Sequence, residues 1–317
     1  MGFQTRLFLP FLTAVFASVI LVASGFIYCT TAAIEEADAE RTKAVFSQFK
    51  KEYDQRVDEV LGQVNDIAES SVTLHMAIDL ARPNAGQSIY FNDAKGASQD
   101  HNLDFLQFVG ADGTLISSLQ NPMRVGYKET WVTARKDWEH SPPFLRQEEL
   151  PSGVQLSITA VRPVSRGNYK MLYVVGGRRL DQRFLSLLVL PSGTRALLYR
   201  NLDERTFLPA NLTGTNGAVD QAQRFAPLIN QIQASRQPAV ETIEWTSDAA
   251  SAETFHLIPL FGRNNELSAV LLVGNSRREV VLLRRRISRI AARSAAAAIL
   301  TGLLIGLCVS LRITQPR

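Results

Sequence analysis

Four histidines, His75, His101, His140 and His256, are the side chains best suited to bind a metal or move a proton near neutral pH. No two of them stand at metal-ligand spacing, and the two cysteines, Cys29 and Cys308, both fall in apolar runs where they assist no histidine. The pattern favours structural or solvated histidines over a metal site. Ala23-Ser24-Gly25, Pro151-Ser152-Gly153 and Pro191-Ser192-Gly193 lack the first glycine of a Gly-x-Ser-x-Gly elbow, so a serine hydrolase has no support. Gly176-Gly177 closes a strand-like run without phosphate-loop spacing. Asp112-Gly113 lacks the alternating carboxylates of a calcium loop and reads as a turn. Asn211-Leu212-Thr213 is a formal glycosylation sequon with no further support. No catalytic domain, cofactor or metal is expected within these residues.

The elements that would position any site lie between two apolar blocks. Leu7 to Ile34 and Ser294 to Leu311 contain no charged residue, and roughly 20 apolar residues span a bilayer core. A cleaved signal peptide is the alternative for the first block, but its charge-free stretch exceeds the usual h-region of about 7 to 15 residues. Arg6 before the first block, with Glu35, Glu36, Asp38 and Glu40 after it, places the N-terminus inside. Arg284, Arg285, Arg286, Arg289 and Arg293 precede the second block on the outer side, where arginine can reach the headgroups. The pI of about 9.2 then reflects a membrane-surface feature, and no nucleic acid is expected as a partner. The region between the blocks has no cysteine, which is compatible with a bacterial periplasm.

After the first block, Phe46, Phe49, Tyr53, Val57, Val60, Val64 and Ile67 recur at spacings of three and four. This predicts one long helix, ended by Pro83, that either lies on its own domain or continues the membrane helix as a stalk pairing with a second copy. Two strand-like runs then flank Ala111-Asp112-Gly113-Thr114, a hairpin signal. A more helical stretch carrying Trp131, Trp138 and Phe144 follows. Two further strands, from Val154 and from Tyr169, precede a short helix near Asp181. This ending recurs: Pro163 aligns with Pro259, Arg166 with Arg263, and Gly176 with Gly274, at offsets of 96 to 98 residues. Two units in tandem are expected. Val280, Leu283, Ile287 and Ile290 then place a helix leading without proline or glycine into the second block.

The hairpin at "GADGTLISS", the helical middle and the paired endings "RPV" and "VVGG" resemble an extracellular PAS-like, or Cache-type, sensor. The tandem ending resembles a double Cache region. Arg312-Ile313-Thr314-Gln315-Pro316 looks like the opening of a HAMP linker. The resemblance implies an α+β chain with a long N-terminal transmembrane and stalk helix, two tandem PAS-like domains with antiparallel sheets, and a C-terminal transmembrane helix. The expected divisions are residues 1–6 cytoplasmic, 7–30 first membrane helix, 31–83 stalk, 84–190 membrane-distal sensor and 191–276 membrane-proximal PAS-like domain. They continue with 277–293 as juxtamembrane helix, 294–311 as second membrane helix and 312–317 as the start of the linker. The implied protein is a two-pass, homodimeric receptor of the bacterial inner membrane with residues 31–293 periplasmic. Its cytoplasmic signalling domains follow the C-terminus, most often those of a two-component histidine kinase. The input region of a chemotaxis transducer or of a cyclic-dinucleotide enzyme, or a membrane-anchored envelope binding or structural protein, are the alternatives.

In PAS-like domains a ligand lies between the sheet and the segment crossing it. That puts Trp131, Arg135, Trp138 and His140 on the crossing segment, with Arg162 and Tyr173 on facing strands. Aromatic walls with a cation suit a small carboxylate. Glu129-Thr130-Trp131-Val132 stands where the amino-acid-binding Cache pattern would place an arginine shortly before Trp-Tyr.

Overall fold

The computed structural model describes residues 3–82, 90, 92–135, 137–150, 153–166, 169–202 and 206–314, without several side chains in the apolar ends of its first and last helices. Helix α1 runs from Phe3 to Glu69. The seam places it: Phe49, Val60, Val64 and Ile67 are buried, and Phe46, Tyr53 and Val57 pack beside them, in one core with the sheets. Between residues 46 and 67 the apolar stripe therefore packs on the chain's own sheets, as in the first of the two readings of the helix. The helix also stops earlier than the sequence suggests. Ser70 accepts a hydrogen bond from the Thr73 amide and caps a new helix, α2 (Ser71–Leu80). A serine side chain competes well for the free amides of a helix start. Pro83 and the expected boundary beside it lie outside the described residues.

After α3 (Asp93–Asp100) come β1 (Phe105–Gly110) and β2 (Leu115–Ser118), joined by the anticipated turn in which Gly113 takes φ 86°. The expected helical middle is mostly irregular: its α-helix, α4, covers Thr130–Thr133. Strands β3 (Phe144–Leu150), β4 (Gly153–Arg166) and β5 (Tyr169–Arg179) complete a five-stranded antiparallel sheet of order β2-β1-β5-β4-β3. Strand β3 pairs with β4 only up to Thr159, so Pro163 lies where β4 has a free edge and its missing amide costs no ladder bond. Asp181 caps the short helix α5 (Gln182–Leu185).

The second half builds β6 (Thr194–Arg200), β7 (Leu212–Gly214), β8 (Gly217–Ala218), helix α6 (Ala226–Ser235), β9 (Ala239–Ile243), β10 (Glu253–Phe261) and β11 (Leu267–Ser276). The sheet order is β8-β7-β6-β11-β10-β9. Apart from the added β8, each sheet puts its second strand outermost, then its first, its last, and the two before it. The repeat seen in the sequence is thus a repeat of topology. Val174-Val175 and Leu272-Val273 lie on interior strands, as expected.

Helix α7 runs without interruption from Arg278 to Thr314. Gln315, Pro316 and Arg317, the end of the linker-like motif, lie outside the described residues. Among the described residues no helix is long and apolar enough to cross a membrane. By internal packing the chain divides into two units: residues 44–241 with 255–274, and residues 1–43 with 242–254 and 275–317.

Candidate functional site

Strand alternation sends Leu106, Phe108, Ile158, Ala160 and Val174 to the core that holds α1. The opposite face carries Phe105, Val109, Val161, Tyr173 and Val175, closed over by Val132 and Trp138 from the crossing segment. This second face is not wholly apolar. Gln107 lies between Phe105 and Val109 on β1, and Arg146 and Glu148 alternate with Phe144 and Leu150 on β3.

Although β5 and β4 lie between β1 and β3 in the sheet, these polar groups meet. Glu148 is 4% exposed, and its Oε1 accepts hydrogen bonds from Gln107 Nε2 and Gln120 Nε2, both at 3.2 Å. Its Oε2 accepts from Arg146 at 2.5 Å. The Arg146 guanidinium in turn lies 3.8 Å from the centre of the Trp131 ring, whose Nε1 donates to Glu129 at 3.0 Å. Burial raises the Glu148 carboxyl above its ordinary range, against the pull of Arg146. Burial also lowers Arg146. Four further buried oxygens on or beside this face have no protein partner: Gln107 Oε1, Gln120 Oε1, Ser157 Oγ and Thr159 Oγ1. An unpaired buried polar group costs about 1 to 3 kcal/mol, so each of these oxygens weighs against the stability of this face.

Of the six side chains singled out by sequence, four gather beside this interior, and one of them, Tyr173, packs in the same cluster as Trp138, its phenol raised by burial. Trp138 is fully buried, stacked on Phe144 with centres 6.0 Å apart and edge-on to Trp131 at 5.8 Å. Its Nε1 donates to the Val132 carbonyl at 2.6 Å. Arg135 lies 5.5 Å from the centre of the Trp138 ring.

The other two have different duties. His140 points to solvent and pairs with Asp137 at 3.2 Å. Arg162 donates to the carbonyls of Trp138, Ser141 and Val161 at 2.8 to 3.0 Å, and to Asn65 of α1 at 2.6 Å. It clips the crossing segment and the helix to the sheet.

Sequence reasoning missed Gln107, Gln120, Glu148 and Arg263. A signal for Glu148 existed: "FLRQEEL" pairs an apolar start and end with charges at the same alternation as Phe144. Which face that alternation served depended on the fold. Arg263, in the turn after β10, lies 4.3 Å from the Trp138 ring centre and 5.2 Å from that of Phe144. Among the described residues no group of three His, Cys, Asp or Glu is placed to hold a metal ion.

No family model matches the sequence, and no curated protein matches it. Solved structures do resemble it. The sensor domain of the histidine kinase DctB of V. cholerae is 14% identical with a TM-score of 0.48, covering 76% of this chain and 98% of that one. The sensory domain of the Campylobacter jejuni chemoreceptor Tlp3 with isoleucine bound is 11% identical with a TM-score of 0.45, covering 79% and 95%. The ligand-binding domain of the Pseudomonas aeruginosa PAO1 amino acid chemoreceptor PctB, in complex with L-Arg, is 12% identical with a TM-score of 0.43, covering 78% and 97%. Each of these likenesses is at low sequence identity.

Proposed function

We propose that the chain is the sensing and transmitting input of a two-pass bacterial membrane receptor. In this reading the first repeat holds a small polar solute against the Glu148 network, and no step of catalysis occurs within these residues. The observation that carries it is the set of buried, unpartnered oxygens of Gln107, Gln120, Ser157 and Thr159 around an Arg146–Glu148 ion pair. A fixed cation and anion side by side, with amide and hydroxyl groups facing them, suit a solute with donors and acceptors close together.

Two features support transmission. The repeats hang from one continuous helix, α1, and β11 leads after a single residue into α7. The charge-free runs 7–34 and 294–311 lie within those two helices, and on them we place the crossings, with the repeats outside and the linker-like Arg312 to Pro316 inside. Of the outputs that follow such a linker we take a histidine kinase, working as a homodimer, as the reading, with a chemotaxis transducer as the second. Because the seam on α1 is buried from 46 to 67, contacts between copies would use other faces of the helix.

Reporter fusions test the arrangement. A fusion after Arg317 is expected to be active only as a cytoplasmic reporter and one near Asn201 only as an exported reporter. The reverse pattern would mean that the arginine cluster before Ser294 governs orientation, and the receptor reading would fail.

A further inference from the structure

An open cleft of about 490 Å³ lies where the crossing segment, β3 and the turn between β10 and β11 meet. Trp131 and Phe144 form walls, and the guanidinium groups of Arg135, Arg146 and Arg263 reach it against one carboxylate, Glu266. Arg146 is committed to Glu148. Glu266 is turned to its own hairpin, accepting from the Asn264 amide at 2.7 Å. Among the described residues no carboxylate forms an ion pair with Arg135 or Arg263.

Both of these arginines rest on the Trp138 ring, at 5.5 and 4.3 Å from its centre, so they lie less than 10 Å apart. Their mutual repulsion shows on Arg263, which is lowered first by burial and next by Arg135. Two neighbouring cations over one indole, each bearing a planar fork of donors, are stabilised by an anion that both can grip.

We propose that this cleft binds a small planar carboxylate, held by Arg135 and Arg263 and stacked against Trp131 and Phe144. Both the charge and the flat aromatic walls are used, which an inorganic anion could not do. Arg135 belongs to the first repeat and Arg263 to the second, so such a ligand bridges the two. The site opens at the edge of the first sheet and shares Arg146 with the Glu148 interior, but Arg135 and Arg263, which grip the ligand, take no part in that network, so either can fail without the other.

Benzoate is the probe. Titrated into the full chain in detergent micelles, it is expected to change tryptophan fluorescence saturably and to raise the melting temperature. Arg263→Ala and Arg135→Gln each weaken binding at least tenfold, with far-UV circular dichroism unchanged, while Glu148→Gln still binds benzoate. Arg135→Gln, in an irregular segment, keeps the test open should Arg263→Ala fail to fold. The proposal is overturned if benzoate gives no saturable change, or if binding survives both substitutions. It is equally overturned if inorganic phosphate displaces benzoate at matched concentration, since the cleft would then read charge alone.

Discussion

Asn275, the penultimate residue of β11, donates its side-chain amide to the Thr42 hydroxyl at 2.8 Å and to the Asp38 carbonyl at 3.3 Å. Asn275 is 1% exposed, so these bonds are made in a dry setting where their loss is felt. They tie the end of the last strand to α1. Two residues on, the Arg277 amide bonds the Ala252 carbonyl, and Arg285 of α7 pairs with Asp248 at 2.6 Å. The first turns of α7 are thereby fixed to a strand end on one side and to residues 248–252 on the other.

Removing that tie should loosen both partners locally without unfolding the sheets. Asn275→Ala is expected to cost about 1 to 2 kcal/mol. Hydrogen exchange should speed up in residues 38–45 and 277–285 and stay unchanged in β1 and β5. Unchanged exchange at both segments would show that the pair does not brace the start of α7.

Glu148 makes a statement about pH. Burial raises its folded-state value above the ordinary 4.5, so the folded chain keeps a proton that the unfolded chain releases. The associated stability is full below about 4.5 and is lost as pH rises through the raised folded value. Glu148→Gln should remove that slope, whatever it does to stability at a single pH through Arg146. The check is chemical denaturation at several pH values from 4 upward. Parallel curves for the parent and Glu148→Gln chains would refute the assignment.

Arg162 separates scaffold from site. Its guanidinium satisfies three backbone carbonyls, and hydrogen bonds from a charged donor are worth about 1.5 to 3 kcal/mol. Arg162→Ala is expected to lower the melting temperature by several degrees with no ligand present. A variant that melts like the parent chain would return Arg162 to the list of candidate ligand contacts.

Gly177 tests the packing of the first sheet. A Cβ there would stand 2.2 Å from the Ile158 carbonyl oxygen and 2.6 Å from the Phe105 ring. The first of these is backbone and cannot step aside, so Gly177→Ala should destabilise by about 1 to 3 kcal/mol. Gly62 on α1 meets nothing within 4 Å, and Gly62→Ala should be neutral or stabilising by about 1 kcal/mol. Equal effects at the two positions would mean that the sheet interior is not packed as described.

Much of this fold was legible because it rests on local signals. The turn at Asp112-Gly113, the seam from Phe46 to Ile67, the paired strand endings at Gly176 and Gly274 and the uninterrupted run into α7 each follow from spacing or turn chemistry. The site was less legible because it is made by distant contacts. Gln107 and Glu148 stand 41 residues apart, on strands with two others between them, and only the folded sheet puts them in contact. Trp131, Arg135 and Trp138 were found by residue type and do converge, whereas Arg162 and His140 share that chemistry and serve elsewhere. The break at Ser70 escaped because no proline or glycine marks it, and a side-chain cap needs only a serine.

The central claim is that the interior around Glu148 holds a small polar solute. It is tested most directly by thermal-shift titration of the full chain in micelles against a panel of non-aromatic amino acids and amines, which lack the flat ring that the Arg135–Arg263 cleft would stack. At least one solute is predicted to raise the melting temperature in a dose-dependent way. That rise should vanish in Glu148→Gln and in Gln107→Leu and persist in Arg263→Ala. A panel without effect on the parent chain, or a rise that survives both interior substitutions, would contradict the account.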